Sequence, residues 1–288
     1  MKGRSGVIAL AVLSLCSLAL AEEREGRKFT DEKSFPVKTS EPLYVEVEVT
    51  AGEVVIEKGT GADSVTAVLD YTEGEFKPKI EFNEKKNRVL VKLTKRNWHR
   101  VNDKDEKNWA LVTVRLPSSA DIFLDYRLKA GETEMQLGGL RLKEVNISVW
   151  AGQLDVNFET PNLIPMDYLE INARVGEANL SNLGNARYKE AVINGGIGEI
   201  RADFSGEVEP DSKAWVDLDI GEATVVLPET PGVRMNVGGM FGFLSSKRIS
   251  GSFFKRGRFY YSDDYDDVKT KSTFHITPGL GELRIEGK

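Results

Sequence analysis

A Gly-Glu pair recurs along this chain at a spacing too regular for scattered turns. It stands at Gly52-Glu53, Gly131-Glu132, Gly176-Glu177, Gly198-Glu199, Gly221-Glu222 and Gly281-Glu282, with Gly152-Gln153 as a variant and Phe241-Gly242-Phe243 as a degenerate copy. From Gly131 to Gly242 the successive glycine spacings are 21, 24, 22, 23 and 21 residues. A period of that length marks one small structural unit per copy, stacked against its neighbours.

The phase of the flanking residues says what the pair does. Inward positions run Ile122, Leu124, Tyr126, Leu128 and Ala130, then resume at Thr133, Met135 and Leu137. The same slip separates Val149 and Ala151 from Leu154, Val216, Leu218 and Ile220 from Ala223, and Val49 and Ala51 from Val54. Side chains alternate with period 2 along a strand, so an odd step would turn the next strand inside out unless the backbone bends. Glycine supplies the freedom for that bend. Gly52, Gly131, Gly152, Gly176, Gly198, Gly221 and Gly281 are therefore expected to be structural corners, with the residue ahead of each pointing inward and the glutamate facing water. A two-residue Gly-X hairpin would give the same slip. The predicted fold is all-β: a parallel β-solenoid of roughly 21–24-residue repeats, with an antiparallel hairpin sandwich as the alternative.

The organisation follows from composition. Lys2 and Arg4, an apolar run over residues 7–20 and Ala19-Leu20-Ala21 form a signal peptide, cleaved after Ala21. Its removal takes two of 39 basic side chains and leaves 45 acidic ones, moving the formal charge from −6 to −8. The single cysteine, Cys16, leaves with it. Without disulfides the mature chain must rely on buried apolar surface and backbone ladders, which its size can supply. Residues 22–41 are polar and are expected to form a flexible leader. Strict alternation begins at Leu43, Val45, Val47 and Val49, opening an N-terminal β region over 42–121; the repeats fill 122–288. The hydrophilic stretch 97–108 is expected to be an exposed loop.

No catalytic set stands out. His99 and His275 have no nucleophile or zinc pattern nearby and are expected to be structural. A row of corner glutamates offers one carboxylate per unit, too few oxygens for a calcium ion. No cofactor or metal is expected. Acidity argues against nucleic acid and against a polybasic membrane contact. The best interaction surface lies in the aromatic run 253–261 and the acidic run after it, with Phe259, Tyr260, Tyr261 and Tyr265 as the contact residues. Beside Arg and Asp such rings could stack on sugars or dock a protein, or instead plug the end of the stack.

These residues resemble a bacterial family, the toast-rack proteins, related to the putative-adhesin β-helix domains and to the C-terminal domain of LiaF-like proteins. The N-terminal likeness runs through Val49-Thr50-Ala51-Gly52-Glu53, Lys77-Pro78-Lys79, and Trp109 ahead of Leu116-Pro117. The C-terminal likeness runs through Ile220-Gly221-Glu222-Ala223-Thr224-Val225-Val226-Leu227-Pro228 and Gly279-Leu280-Gly281-Glu282-Leu283. The resemblance implies a β-helix fold without enzyme activity, and for LiaF-like proteins a partnership with envelope-stress kinases. The expected function is an exported, periplasmic or secreted, non-catalytic envelope module, adhesin-like or structural. It would bind an envelope protein or polysaccharide and would have no stable membrane anchor after signal cleavage. The alternatives are an envelope-stress regulator binding a membrane partner and a carbohydrate-active β-helix enzyme.

Overall fold

The structure, a computed structural model, describes residues 27–96, 109–229, 232–238 and 245–287. The expected signal peptide, the loop expected over 97–108 and the degenerate Phe241-Gly242-Phe243 copy lie outside the described residues. Within them the chain is all-β, and its only helical segments are the 3₁₀ turns Glu84–Lys86 and Leu183–Ala186.

Seven long strands make a mostly parallel sheet. They are β2 (Leu43–Lys58), β7 (Ile122–Gln136), β8 (Leu142–Asn157), β9 (Met166–Ser181), β10 (Tyr188–Asp203), β11 (Ser212–Val226) and β16 (Lys271–Glu286). Each Gly-Glu or Gly-Gln pair lies inside one of these strands. All six neighbouring pairs are parallel and in register at the glycine, as in Gly52↔Gly131, Gly152↔Gly176 and Gly221↔Gly281. The geometry leaves no room for a side chain there. At Gly198, φ is +144° and an added Cβ would lie 1.8 Å from the Gly176 carbonyl oxygen.

The bend is broader than the sequence suggested. Across each corner the fully inward positions are five residues apart: Val49 and Val54, Leu128 and Thr133, Val149 and Leu154, Leu218 and Ala223. Five is odd, so both halves of the strand still face one core. The residue ahead of glycine, however, sits on the outside of the bend. Val175, Ile197 and Ile220 are 47%, 55% and 45% exposed, so the inward position expected for the residue before glycine is corrected.

Both ends of the stack are built by insertion. One flank of β2 pairs with β7; the other is shared by two short strands, β5 (Arg88–Lys95) on its first half and β6 (Ala110–Leu116) on its second. At the far end β16 enters between β11 and a split layer of β12 (Gly232–Val237) and β13 (Ser245–Ser250). Antiparallel strands then close the sheet. β4 (Phe76–Asn83) pairs with β5, β3 (Ser64–Thr72) with β6, β15 (Phe259–Ser262) with β12, and β14 (Phe253–Arg256) with β15. One core cluster runs from Leu43 to Ile285, with no break at the boundary expected between residues 121 and 122.

The leader expected over 22–41 is corrected in part. β1 (Lys28–Pro36) pairs antiparallel with β3 along nine residues. Its side chains are mostly exposed, which is why its composition read as disordered. It is held by the backbone ladder, by Phe35 stacked on Phe82 at 5.3 Å and by Phe29 against Tyr71 at 5.8 Å.

The corner makes a direct prediction. Gly198→Ala should destabilise the fold by about 3 kcal/mol or more, through strain and a backbone clash. Gly74→Ala, at φ +85° with nothing within 4 Å of the added carbon, should cost only about 1–2 kcal/mol. Urea denaturation of the two variants checks the difference.

Candidate binding face

Because each long strand bends, the sheet presents two outer faces, and on the first of them side chains line up in columns across the stack. One column starts with Arg88, Tyr44 and Phe123 on β5, β2 and β7. It continues through Glu144, Tyr168 and Glu190. It ends with Lys213, Thr273, Arg234, Tyr261 and Phe254 on β11, β16, β12, β15 and β14. The next column brings Trp215, His275, Asn236 and Phe259 side by side. The face is thus charged and aromatic at both ends and acidic to polar between them.

At the N-terminal end, Tyr44 and Phe123 stack at 5.1 Å beside an open groove of about 470 Å³. Its charges neutralise one another. Arg88 holds Glu46, Lys92 holds Glu48, and Arg127 reaches Asp125 at 2.8 Å and Glu48 at 3.4 Å. The hydrogen bond from Lys92 keeps the Glu48 carboxyl below its ordinary range, whereas burial pushes Asp125 up against the pull of Arg127.

At the C-terminal end the cations meet rings instead of carboxylates. The Arg234 and Arg258 guanidiniums lie 5.1 and 5.0 Å from the Phe259 ring. Arg256 covers Phe254 and Tyr261 and also reaches Asp266 at 3.1 Å. Phe254 stacks on Tyr261 at 5.6 Å, and Trp215 on His275 at 5.5 Å and 13°. Arg234 donates to the Thr273 hydroxyl at 3.1 Å, while its Nε is buried without a partner. His275 is held below its ordinary pKa by burial and then by Arg234, Arg258 and Lys213, with Asp217 opposing.

Residues 23–163 match the family model for the N-terminal domain of toast_rack (DUF2154). The chain carries a toast-rack N-terminal domain. That match ends in the connection between β8 and β9, so it includes the Tyr44–Phe123 groove and stops short of the C-terminal aromatic end. Among solved structures, a "putative cell adhesion protein" from Clostridium sporogenes ATCC 15579 is 19% identical, with 90% of this chain and 100% of that chain covered and a TM-score of 0.46. A "putative adhesin" from Bacteroides fragilis NCTC 9343 is 12% identical, with 90% and 98% covered and a TM-score of 0.39. No curated protein matches the chain.

The structure divides the four aromatic residues expected to form one surface. Phe259 and Tyr261 lie on the outer face with Arg234, and Tyr265 meets Tyr261 edge-on at 4.8 Å from the following turn. Tyr260 points the other way, packing against the core beneath Lys247 and Lys255. Three are thus surface groups and one is a plug. The seven corner glycines form a separate column along the bend. Beside it run Glu132, Gln153, Glu177, Glu199, Glu222 and Glu282 in register, and Arg284 bridges the last two glutamates at 3.5 and 2.8 Å. Among the described residues no three metal-ligating side chains gather, and no helix is long and apolar enough to cross a membrane.

The Tyr44–Phe123 and Trp215–His275 pairs were missed in the sequence, although the outward phase of each residue was legible there. Partners 79 and 60 residues apart become visible only through the strand register. Also missed was the exposed apolar line of Val175, Ile197 and Ile220 at the corner, and beside it the exposed Trp150, whose ring lies 5.0 Å from Arg174.

His275 gives a pH signature. Its folded pKa lies below the ordinary value of 6.5, so below pH 6.5 the unfolded chain binds the proton first, and stability falls as pH drops towards the folded pKa. His275→Gln should remove that contribution. Urea midpoints measured between pH 5 and 7.5 should show a flatter acid limb for the variant.

Proposed function

We propose that this toast-rack protein is an exported, non-catalytic module of the bacterial cell envelope, adhesin-like in that it holds a ligand on the outer face of a parallel β-solenoid. In this reading the long strands are successive coils of roughly 21–24 residues, and the inserted ends leave the first outer face free as a platform. The observation that carries the reading is the column from Arg88 to Phe254. It crosses eleven strands in register, with no second layer over it among the described residues. A flat array with rings and fixed charges at its ends suits recognition of an extended ligand. In this reading the expected signal peptide of residues 1–21 is cleaved, the mature chain begins at Glu22, and the ligand lies outside the cytoplasm.

A second reading has one observation in its favour. The apolar line of Val175, Ile197 and Ile220 is the kind of exposed patch that docks a protein, as an envelope-stress regulator would require. The two readings separate in one experiment. Retention of the mature chain on isolated envelope fractions should drop at least about tenfold on Tyr261→Ala combined with Phe254→Ala, if those rings anchor the ligand. It should be unchanged by Ile197→Ser combined with Ile220→Ser. The opposite pattern, with a membrane protein recovered, would establish the regulator instead. Mass measurement of the exported protein checks the processing site.

A further inference from the structure

We infer that the C-terminal end of the outer face binds a carboxylate-bearing polysaccharide, with Arg234 and Arg258 as the groups that hold its acids. This rests on the binding-module reading and names the ligand class for it.

Most arginines on the sheet are neutralised in place. Arg88 pairs with Glu46, Arg115 with Glu57, Arg127 with Asp125 and Arg284 with Glu282. Arg234 and Arg258, like Arg96, Arg174 and Arg248 elsewhere, have no carboxylate within 4.0 Å among the described residues, although the chain has more acidic than basic residues; what sets them apart is that they are neighbours. Both converge on the Phe259 ring. A ring holds a guanidinium by its quadrupole and fixes its plane without cancelling its charge. Two like charges around one phenyl group repel each other, and an anion between them would remove that repulsion. The Arg234 guanidinium is held in place by its hydrogen bond to Thr273 and by the Phe259 ring, with no acid against it and its Nε buried without a partner. His275, beside them, is disfavoured as a cation by burial and then by Arg234, Arg258 and Lys213.

The surroundings select the kind of anion. Thr273 and Asn236 lie between the cations and the Trp215–His275 stack, offering hydroxyl and amide groups for a hydroxyl-rich ligand. Arginine meets carboxylates through paired hydrogen bonds. The rings on this patch are half-buried and stacked on one another, so no apolar side chain stands proud to enter a bilayer. Glu190 and Asp217 border the patch on the side of the acidic middle, which confines a charged polymer to a short segment and disfavours a long polyphosphate.

The test uses the mature chain and polygalacturonate at low salt, with neutral dextran and phosphatidylglycerol vesicles as separate arms. Polygalacturonate should bind, weaken as salt is raised, and bind more tightly as the pH falls through the titration of His275, a pH dependence that His275→Gln removes. Arg234→Gln and Arg258→Gln should each weaken binding about tenfold, the scale of one charge-assisted hydrogen bond. Arg258→Lys should recover part of the loss, and Arg284→Gln, on the other outer face, should change nothing. Arg258 is exposed on the β14–β15 turn, so its variants report on binding even if Arg234→Gln lowers the melting temperature. Equal binding by wild type and Arg258→Gln, or tighter binding to the vesicles, overturns the inference. Envelope retention without polygalacturonate binding overturns it while leaving the binding-module reading standing; loss of both removes both.

Discussion

Backbone packed directly on backbone at the corner is the contact on which the rest of the structure depends. Each corner glycine lies over the carbonyl of the one before it, close enough that a single added carbon would overlap it, as at Gly131 on Gly52 and Gly221 on Gly198. That contact fixes the register of neighbouring strands. With side chains alternating at period 2, the register in turn decides which residues share a column on either outer face. Tyr44 meets Phe123, and Trp215 meets His275, because the glycines in their strands are aligned.

The ends show how a parallel stack is closed without disulfides. A parallel strand added at either end would leave another open edge of unpaired N–H and C=O groups. Here the outermost layer is split in two at each end, and antiparallel strands cover β5 and β6 at one end and β12 at the other. The C-terminal strand β16 then fills the place between β11 and that split layer. The consequence is chemical as well as mechanical. Insertion of β16 puts Thr273 and His275 between Lys213 and Trp215 on one side and Arg234 and Asn236 on the other. A patch of cations and rings is thereby assembled from segments that are distant in the chain. At the N-terminal end, with similar ingredients, Arg88 and Arg127 are instead paired with glutamates from adjacent strands.

Much of this was legible residue by residue. The alternation around Val45, Val47 and Val49 and the odd step across each Gly-Glu gave the strands, their inward faces and the bend. The residue at the apex was misjudged, because a hydrophobic residue beside glycine reads as core, whereas Val175, Ile197 and Ile220 lie on the outside of the turn. Residues 28–36 were misjudged for the opposite reason. Their ladder with β3 needs only backbone groups, and two phenylalanines in a polar segment carry little signal. The aromatic run near the C-terminus was recognised, but its division into an outward Phe259 and Tyr261 and an inward Tyr260 depended on the pairing with β12.

The sequence by itself determined that the chain is all-β, where it bends and which positions must be glycine, because alternation and a steric exclusion are local properties that repeat. The tertiary structure alone decided which charges are left without partners. Arg234 and Arg258 look no different from Arg88 or Arg127 in the sequence. Only the order of strands, with β16 inserted and β15 folded back on β12, places a phenyl ring where a carboxylate would otherwise stand. Charge compensation depends on distances of a few ångströms across strands far apart in the chain, and no periodicity along the chain encodes those distances.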